Sequence, residues 1–176
     1  MKYKEYFCFY ILFIMILFSC TSKTHLKKIV STWTNKEIIF PSALDSLNQD
    51  SLWKSMIKNE YKVLIYVDTN SCTECRLKLY EWHKIIQEVD SNNNVSFIFT
   101  IYTKDYPLVD FLKKKNRFNY PIFYDYTNKI GKLNNFPKDP RFQTFLLDQN
   151  NRVILIGNPI GNKHLWNLYK QTIMNK

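Results

Sequence analysis

The chain has 176 residues, a formal net charge of +10, four cysteines, three glycines and 45% apolar residues. This length fits one domain with a short appendage, and the apolar content is too high for an intrinsically disordered chain. Three glycines exclude collagen-like and Gly/Ser-rich sequences, four cysteines are too few for a disulfide-stapled miniprotein, and a mean hydropathy of −0.33 excludes a multi-spanning membrane protein.

The N-terminus has the pattern of an export signal. Two lysines precede an uncharged apolar run, Phe7–Ser19, which is short for a membrane-spanning helix. The run ends in Leu17–Cys20 and resembles the lipobox of bacterial lipoproteins, in which the cysteine is lipidated, although Phe18 is larger than the residue usual there. We therefore predict a signal peptide over residues 1–19 and lipidation of Cys20. An uncleaved membrane anchor and plain secretion are the alternatives.

The positive charge does not depend on this leader, because removing residues 1–19 would lower the net charge only from +10 to +9. A basic domain often binds nucleic acid, but an exported chain seldom meets it, so nucleic acid is not predicted as a partner. The tight basic run Lys113–Lys115 fits either attraction to anionic lipid headgroups or a solvated helix face. We predict a lipid-anchored protein of the bacterial envelope, on its periplasmic side.

Polar and basic residues predict a tether over residues 20–36, followed by one domain over residues 37–176. Hydrophobic periodicity predicts the elements of the domain. They are a short strand over 37–40, a helix over 44–59, a strand over 62–68, a long helix from Cys72 to the turn at 91–94, a strand over 95–102, a helix over 105–115, an irregular aromatic segment over 118–142, strands over 144–147 and 152–156, and a helix over 162–174. This order predicts an α/β fold with a mixed central sheet flanked by helices.

The domain contains two cysteines, Cys72 and Cys75, which form a Cys-x-x-Cys motif between a central strand and a long helix. One helical turn brings the two sulfurs within disulfide reach, and a helix N-terminus stabilises a thiolate at the first cysteine. Such a thiolate attacks a substrate disulfide, and the second cysteine resolves the mixed disulfide. A metal site is not predicted, because no second motif is present and about 12 Å of helix separates His83 from Cys75. A buried structural disulfide is the alternative.

Three segments resemble a known group of proteins. They are the motif segment Asn70–Cys75, the segment Tyr120–Asp125 with its Pro-x-x-x-Asp pattern, and the hairpin segment Thr144–Gly157. Together they are similar to the thioredoxin fold, specifically to the TlpA/ResA-like and AhpC/TSA-type redoxins of the bacterial envelope. The resemblance covers residues 35–174 and implies a thioredoxin-like α/β/α sandwich. It also implies disulfide exchange with protein substrates, attack by the first cysteine, resolution by the second, and no dissociable cofactor.

Three features depart from that family pattern. Ser71 stands where a tryptophan usually precedes the first cysteine, and Gln143 stands just before Thr144, where the family has a cis-proline. A non-proline cis bond costs about 2.5–4 kcal/mol, so we predict a trans bond before Gln143 and an altered substrate groove at these three residues. The buried acid of the family is displaced as well, because Tyr66 and Lys78 occupy the positions at which thioredoxins and TlpA/ResA-like proteins carry it.

The acids that remain near the motif are Asp68 and Glu74, and we predict that they and Arg76 modulate the cysteines. A carboxylate at Glu74 opposes thiolate formation, whereas Arg76 and Lys78 favour it. Less stabilisation of the thiolate makes a weaker oxidant, so the predicted reduction potential is nearer to that of thioredoxin than to that of DsbA. The alternative is a solvated Glu74 that only suits the first turn of a helix.

The sequence therefore predicts a membrane-anchored thiol–disulfide oxidoreductase that uses a redox-active Cys72–Cys75 disulfide, without a cofactor, on thiols and disulfides of envelope proteins. Two alternatives remain open. A non-catalytic binding lipoprotein would keep the pair as a structural disulfide. A Cu(I)-handling protein would use the thiols that the missing cis-proline leaves accessible.

Overall fold

The computed structural model describes residues 24–44, 49–68, 72–89 and 94–174. Contacts divide the chain into two units, of which the first ends at Thr34 and the second begins at Asn35. The described part of the first unit is helical over residues 24–33, within the predicted tether. The predicted signal peptide and Cys20 lie outside the described residues. In the described ranges, no helix has both the length and the apolar character needed to cross a membrane.

The second unit alternates helices and strands. Its elements are α1 (Asp50–Met56), β1 (Tyr61–Val67), α2 (Thr73–Leu77), α3 (Leu79–Val89), β2 (Val95–Ile101), α4 (Tyr106–Lys115), β3 (Ile122–Tyr124), α5 (Lys129–Asn134), a 3₁₀ turn (Pro140–Phe142), β4 (Thr144–Leu147), β5 (Val153–Ile156) and α6 (Lys163–Met174). The predicted central strands, the predicted hairpin and the C-terminal helix are all present, with ends shifted by one residue or less.

The five strands form one mixed sheet in the order β3-β2-β1-β4-β5. β1 pairs in parallel with β2, and β2 with β3, whereas β4 runs antiparallel to both β1 and β5. β1 and β2 are buried along almost their whole length, which explains why both are nearly continuous apolar runs. The predicted mixed central sheet is confirmed.

Helices cover both faces of this sheet. On one face, α3, α4 and α6 share a core with alternate residues of β1 and β2, in which Trp82 and Tyr169 are fully buried. On the other face, Trp53 of α1 packs edge-on against Phe123 of β3, with 5.0 Å between ring centroids, and Phe136 packs on β1 and β4. The predicted α/β/α layering is confirmed.

The predicted strand over residues 37–40 is wrong. Only Glu37 forms an isolated antiparallel bridge, to Arg152. Two residues later, the backbone N–H and carbonyl of Ile39 bond to the side-chain amide of Asn134, at 2.8 and 2.9 Å. A side chain, not a neighbouring strand, thus satisfies the backbone polar groups at this point.

Two helix predictions are too long. Of the helix predicted over 44–59, residues 45–48 lie outside the described residues, and the described part is α1, which ends at Met56. The next backbone hydrogen bonds, from Lys58 to Ser55 and from Asn59 to Met56, span three residues instead of four. The long helix predicted from Cys72 is divided into α2 and α3, because Lys78 adopts a left-handed conformation with φ of 41°. This break lies three residues after Cys75 and separates α2 from α3.

The segment over 118–142, predicted to be irregular, contains β3 and α5. Its Asp125 is fully buried, and the carboxylate accepts the backbone N–H groups of Lys129 and Ile130 at 2.7 and 3.0 Å. These bonds satisfy two donors at the start of α5. The Pro-x-x-x-Asp pattern thus corresponds to a strand followed by a capped helix.

Candidate active site

Cys72 and Cys75 are joined by a disulfide, and their Cα atoms lie 5.3 Å apart, within the usual range. β1 ends at Val67, and Cys72 then caps α2 by accepting the backbone N–H of Cys75 on its Sγ at 3.2 Å. Both cysteines are exposed. The predicted disulfide pair is thus present, at the carboxyl end of the central strand. Because it is exposed, it is not the buried structural disulfide given above as the alternative.

The side chain of Arg76 joins α2 to the end of β1. Its guanidinium forms an ion pair with the carboxylate of Asp68 and donates to the backbone carbonyls of Asp68 and Tyr66, at 3.2 and 3.5 Å. It also donates to Oε1 of Gln143. The side chains of Arg76 and Asp68 are only 9% and 13% exposed. Two of the three residues predicted to modulate the cysteines, Arg76 and Asp68, thus form one ion pair beside the motif, in which the opposite charges offset each other.

Gln143 completes this network. Its Nε2 donates to Oδ2 of Asp68 at 3.3 Å and to the carbonyl of Pro137 at 2.8 Å. Its backbone carbonyl accepts the N–H of Tyr66 at 2.9 Å. All peptide bonds of the described residues are trans, as predicted for the bond before Gln143. The residue at the cis-proline position of the family is therefore a buried polar link between the loop before β4 and the base of the cysteine motif.

Glu74 lies between the cysteines and is exposed, but its charge has a partner. Its carboxylate pairs with Lys115 at the end of α4, at 3.0 Å, with both side chains more than half exposed. An exposed pair of this kind contributes little to stability. It nevertheless reduces the negative charge that the sequence places beside the thiolate. The partner is 41 residues away in the chain, which no local pattern could indicate.

A cleft of about 460 Å³ opens beside Cys75. It lies between the end of α2, the 3₁₀ turn and the loop that leads from β5 into α6. Besides Cys75, its lining includes Arg76, Lys78, Arg141, Phe142, Gln143, Thr144, Gly157, Asn158, Ile160, Asn162 and Leu165. Two of the three predicted groove residues, Gln143 and Thr144, thus line a cleft at the motif, and the third, Ser71, lies outside the described residues.

The loop after β5 forms the far wall of this cleft, and the sequence prediction missed it. Gly157 has a φ of 127°, and a Cβ at this position would lie 3.1 Å from Cδ2 of Leu165. A side chain here would be strained and would crowd α6. The turn residues Gly157, Pro159 and Gly161 indicate a loop, but nothing local indicates that the loop faces the cysteines.

Tyr66 occupies the position at which thioredoxins carry a buried acid. Burial, with the nearby charge of Asp68 as the second cause, raises the pKa of Tyr66 to about 12. Its hydroxyl donates to Oδ1 of Asn128 at 2.9 Å. At neutral pH this side chain is an uncharged hydrogen-bond donor, so it cannot replace the missing carboxylate.

The described residues contain no group of three or more His, Cys, Asp or Glu side chains that could hold a metal ion. His83, the histidine nearest to the motif in the sequence, hydrogen-bonds to Gln87 one turn later on α3, at 3.1 Å. That contact is a local helix-surface interaction.

No protein-family model matches the sequence, and no curated protein is significantly similar to it. Solved structures share its fold. The thioredoxin domain of a thiol-disulfide oxidoreductase from Bacteroides vulgatus gives a TM-score of 0.57 at 11% identity, covering 80% of this chain and 97% of that one. A structure described as thiol:disulfide interchange protein DsbE from Chlorobium tepidum gives 0.54 at 12% identity, over 68% and 84%. One described as a protein disulfide isomerase from Bacteroides thetaiotaomicron gives 0.52 at 14%, over 68% and 77%. The predicted thioredoxin-like fold is confirmed.

Proposed function

We propose that this chain is a thiol–disulfide oxidoreductase that exchanges disulfides with proteins of the bacterial envelope. The observation that carries the proposal is the exposed Cys72–Cys75 disulfide at the start of α2, directly after the central strand of a thioredoxin-like fold. An exposed disulfide can be attacked in line by a thiolate of another protein, whereas a disulfide enclosed in a core cannot. Oxidoreductases are among the solved structures with this fold, which supports the same chemistry.

In the reduced form, Cys72 is the attacking residue. In the disulfide form its Sγ accepts the backbone N–H of Cys75, and the same hydrogen bond to the reduced sulfur would favour the thiolate over the thiol. The thiolate attacks one sulfur of a polypeptide disulfide. The substrate S–S bond breaks, a bond forms between Cys72 and the substrate, and the other substrate sulfur leaves as a thiolate that takes up a proton.

Cys75 then resolves the mixed disulfide. After giving up its proton, its sulfur attacks Sγ of Cys72, which the 5.3 Å separation of the Cα atoms allows. The Cys72–Cys75 bond forms and the second substrate sulfur leaves as a thiolate. Two electrons have then passed from the cysteine pair to the substrate disulfide, and the reverse steps oxidise a substrate dithiol. Arg76, Asp68 and Gln143 act as positioning residues, because they hold α2 against the sheet.

Trapping of the mixed disulfide tests this assignment. Reduced Cys75→Ser protein is incubated with a disulfide-containing polypeptide and should form an adduct on a non-reducing gel that dithiothreitol dissolves. The matched variant Cys72→Ser should trap far less, because the thiol of Cys75 does not have the N–H hydrogen bond that Cys72 accepts. An oxidised wild-type chain that dithiothreitol does not reduce would contradict the proposal and favour a binding protein with a structural disulfide. One bound Cu(I) per chain without exchange activity would favour copper handling.

The location of the domain is proposed from the N-terminal sequence. An apolar run that ends at Cys20 supports a signal peptide over residues 1–19 and a lipid on that cysteine. In a bacterial host, wild-type protein should incorporate radiolabelled palmitate and sediment with membranes. Cys20→Ser should lose the label, whereas Cys8→Ser, a cysteine within the predicted signal peptide, should keep it. Label that persists in Cys20→Ser would overturn the lipoprotein assignment.

A further inference from the structure

The cleft beside Cys75 is lined by charges of a single sign. Its charged lining residues are Arg76, Lys78 and Arg141. Arg76 is offset by Asp68, and Arg141 by Asp139, whose carboxylate accepts bonds from the guanidinium at 3.0 and 2.6 Å. Lys78 is exposed and has no carboxylate partner among the described residues. The cleft therefore presents one uncompensated cation, three residues after the second cysteine.

The same cleft also offers apolar surface. Phe142, Ile160 and Leu165 line it and are only half-buried. Phe142 comes from the 3₁₀ turn and the other two from the loop after β5 and the first turn of α6. Apolar side chains that remain partly in water gain free energy when a ligand covers them. The cleft thus combines an apolar wall, the cation of Lys78 and the resolving residue Cys75.

We propose that the substrate of this site is an acidic polypeptide segment in which the reacting cysteine is flanked by a carboxylate side chain and an apolar side chain. This inference rests on the proposed function. The carboxylate pairs with Lys78, and the apolar side chain covers the wall formed by Phe142, Ile160 and Leu165. A net charge of +10 on the chain also raises its rate of association with acidic polypeptides.

Four peptides test the substrate preference. Each peptide has one cysteine, present as a mixed disulfide with 2-mercaptoethanol. The position on one side of it carries Glu or Lys, the position on the other side carries Leu or Ser, and the peptides are otherwise identical. The reduced full chain should reduce the Glu peptides about fivefold faster than the Lys peptides, the factor that corresponds to an ion pair of about 1 kcal/mol in water. It should also favour Leu over Ser.

Charge reversal at Lys78 should change this preference. In Lys78→Glu the Lys peptides should be reduced faster than the Glu peptides, whereas Lys54→Glu, at an exposed position on α1 outside the cleft, should keep the wild-type ratio. Ile160→Ser should lower the preference for Leu, and Leu133→Ser, at a position 47% exposed on α5, should not. Each ratio is measured within one variant, so a loss of folded protein does not alter it.

Two results would overturn the inference: a wild-type chain that does not distinguish Glu from Lys, or a Glu preference that Lys78→Glu leaves unchanged. The uncharged disulfide bis(2-hydroxyethyl) disulfide separates this failure from failure of the proposed function. A chain that reduces it but shows no peptide preference contradicts only the substrate class. A chain that reduces neither it nor any peptide contradicts the oxidoreductase assignment itself.

Discussion

Arg76 and Asp68 form a nearly buried ion pair between the helix that carries the cysteines and the end of the central strand. Arg76 directly follows Cys75, and Asp68 directly follows β1, so the pair fixes where α2 begins relative to the sheet. Gln143 hydrogen-bonds to both side chains and ties the loop before β4 to the same point. Three segments that surround the disulfide are thus held by one polar network.

Removal of the Arg76 cation from this network should destabilise the fold. In Arg76→Met, Asp68 keeps a nearly buried carboxylate without its partner, and the free energy of unfolding of the oxidised protein should fall by about 3 kcal/mol. Urea unfolding followed by circular dichroism measures the change. The control is Lys115→Met, which breaks the exposed pair with Glu74 and should cost at most about 1 kcal/mol. Equal losses in the two variants would mean that the buried pair stabilises the fold no more than the exposed pair does.

The reduction potential should respond to Glu74. In Glu74→Gln the carboxylate between the cysteines is gone while Lys115 remains, so the thiolate of the reduced form is more stable. A more stable reduced form means a more oxidising protein, and the potential should rise by about 5–20 mV, which corresponds to an exposed charge interaction of about 0.2–1 kcal/mol. Equilibration with a glutathione buffer measures both proteins. The wild-type potential should lie nearer to that of thioredoxin than to that of DsbA. An unchanged potential in Glu74→Gln would refute a redox role for Glu74, and a lower one would refute the direction predicted here.

The parts of the fold that the sequence predicts correctly are those with strong local signals. β1 and β2 are nearly continuous apolar runs, and the β4–β5 hairpin is two apolar strands around an Asp148–Asn151 turn. The Cys-x-x-Cys pair could be placed for the same reason, because a strand before it and a helical period after it fix its position. A strand that is buried on both faces is apolar at nearly every position, so its own sequence is enough to predict it.

The parts that the sequence did not predict depend on contacts between distant segments. The partner of Glu74 is on α4, and the polar groups of Ile39 bond to Asn134 of α5, which removes a predicted strand. The break at Lys78 is hidden for another reason, since lysine has no preference for a left-handed conformation. The sequence alone shows that Gln143 departs from the family pattern, but its role as a buried link follows only from the spatial proximity of Arg76.

Stability at alkaline pH should depend on Tyr66, whose pKa is raised to about 12 by burial and by the charge of Asp68. Above pH 10 a tyrosine of the unfolded chain ionises while Tyr66 in the folded chain stays protonated. The unfolded state then binds fewer protons, so this contribution to stability is complete below pH 10 and is lost as the pH rises through 12. Tyr66→Phe loses the hydrogen bond to Asn128, so its free energy of unfolding at pH 8 should be about 1 kcal/mol below that of the wild type. The difference should be smaller at pH 11, because there only the wild type has lost part of the contribution of Tyr66.

Urea unfolding at pH 8 and pH 11 measures that difference. Tyr80→Phe is the control, because Tyr80 is 54% exposed on α3 and its loss should leave the pH dependence of the wild type unchanged. A Tyr66→Phe deficit that is the same at both pH values would show that the residue acts only through its hydrogen bond.

The left-handed Lys78 should be a site at which glycine stabilises the protein. A non-glycine residue in this conformation costs about 1–2 kcal/mol, and glycine avoids that cost. Part of this gain is lost, because glycine has more conformational freedom in the unfolded chain. Lys78→Gly should therefore raise the free energy of unfolding by about 0.5–1 kcal/mol. Lys84→Gly, within α3, should lower it by about 1 kcal/mol, because there the backbone is helical. If both glycines destabilise the protein equally, residue 78 is not left-handed in solution, and α2 and α3 form the single helix that the sequence alone predicts.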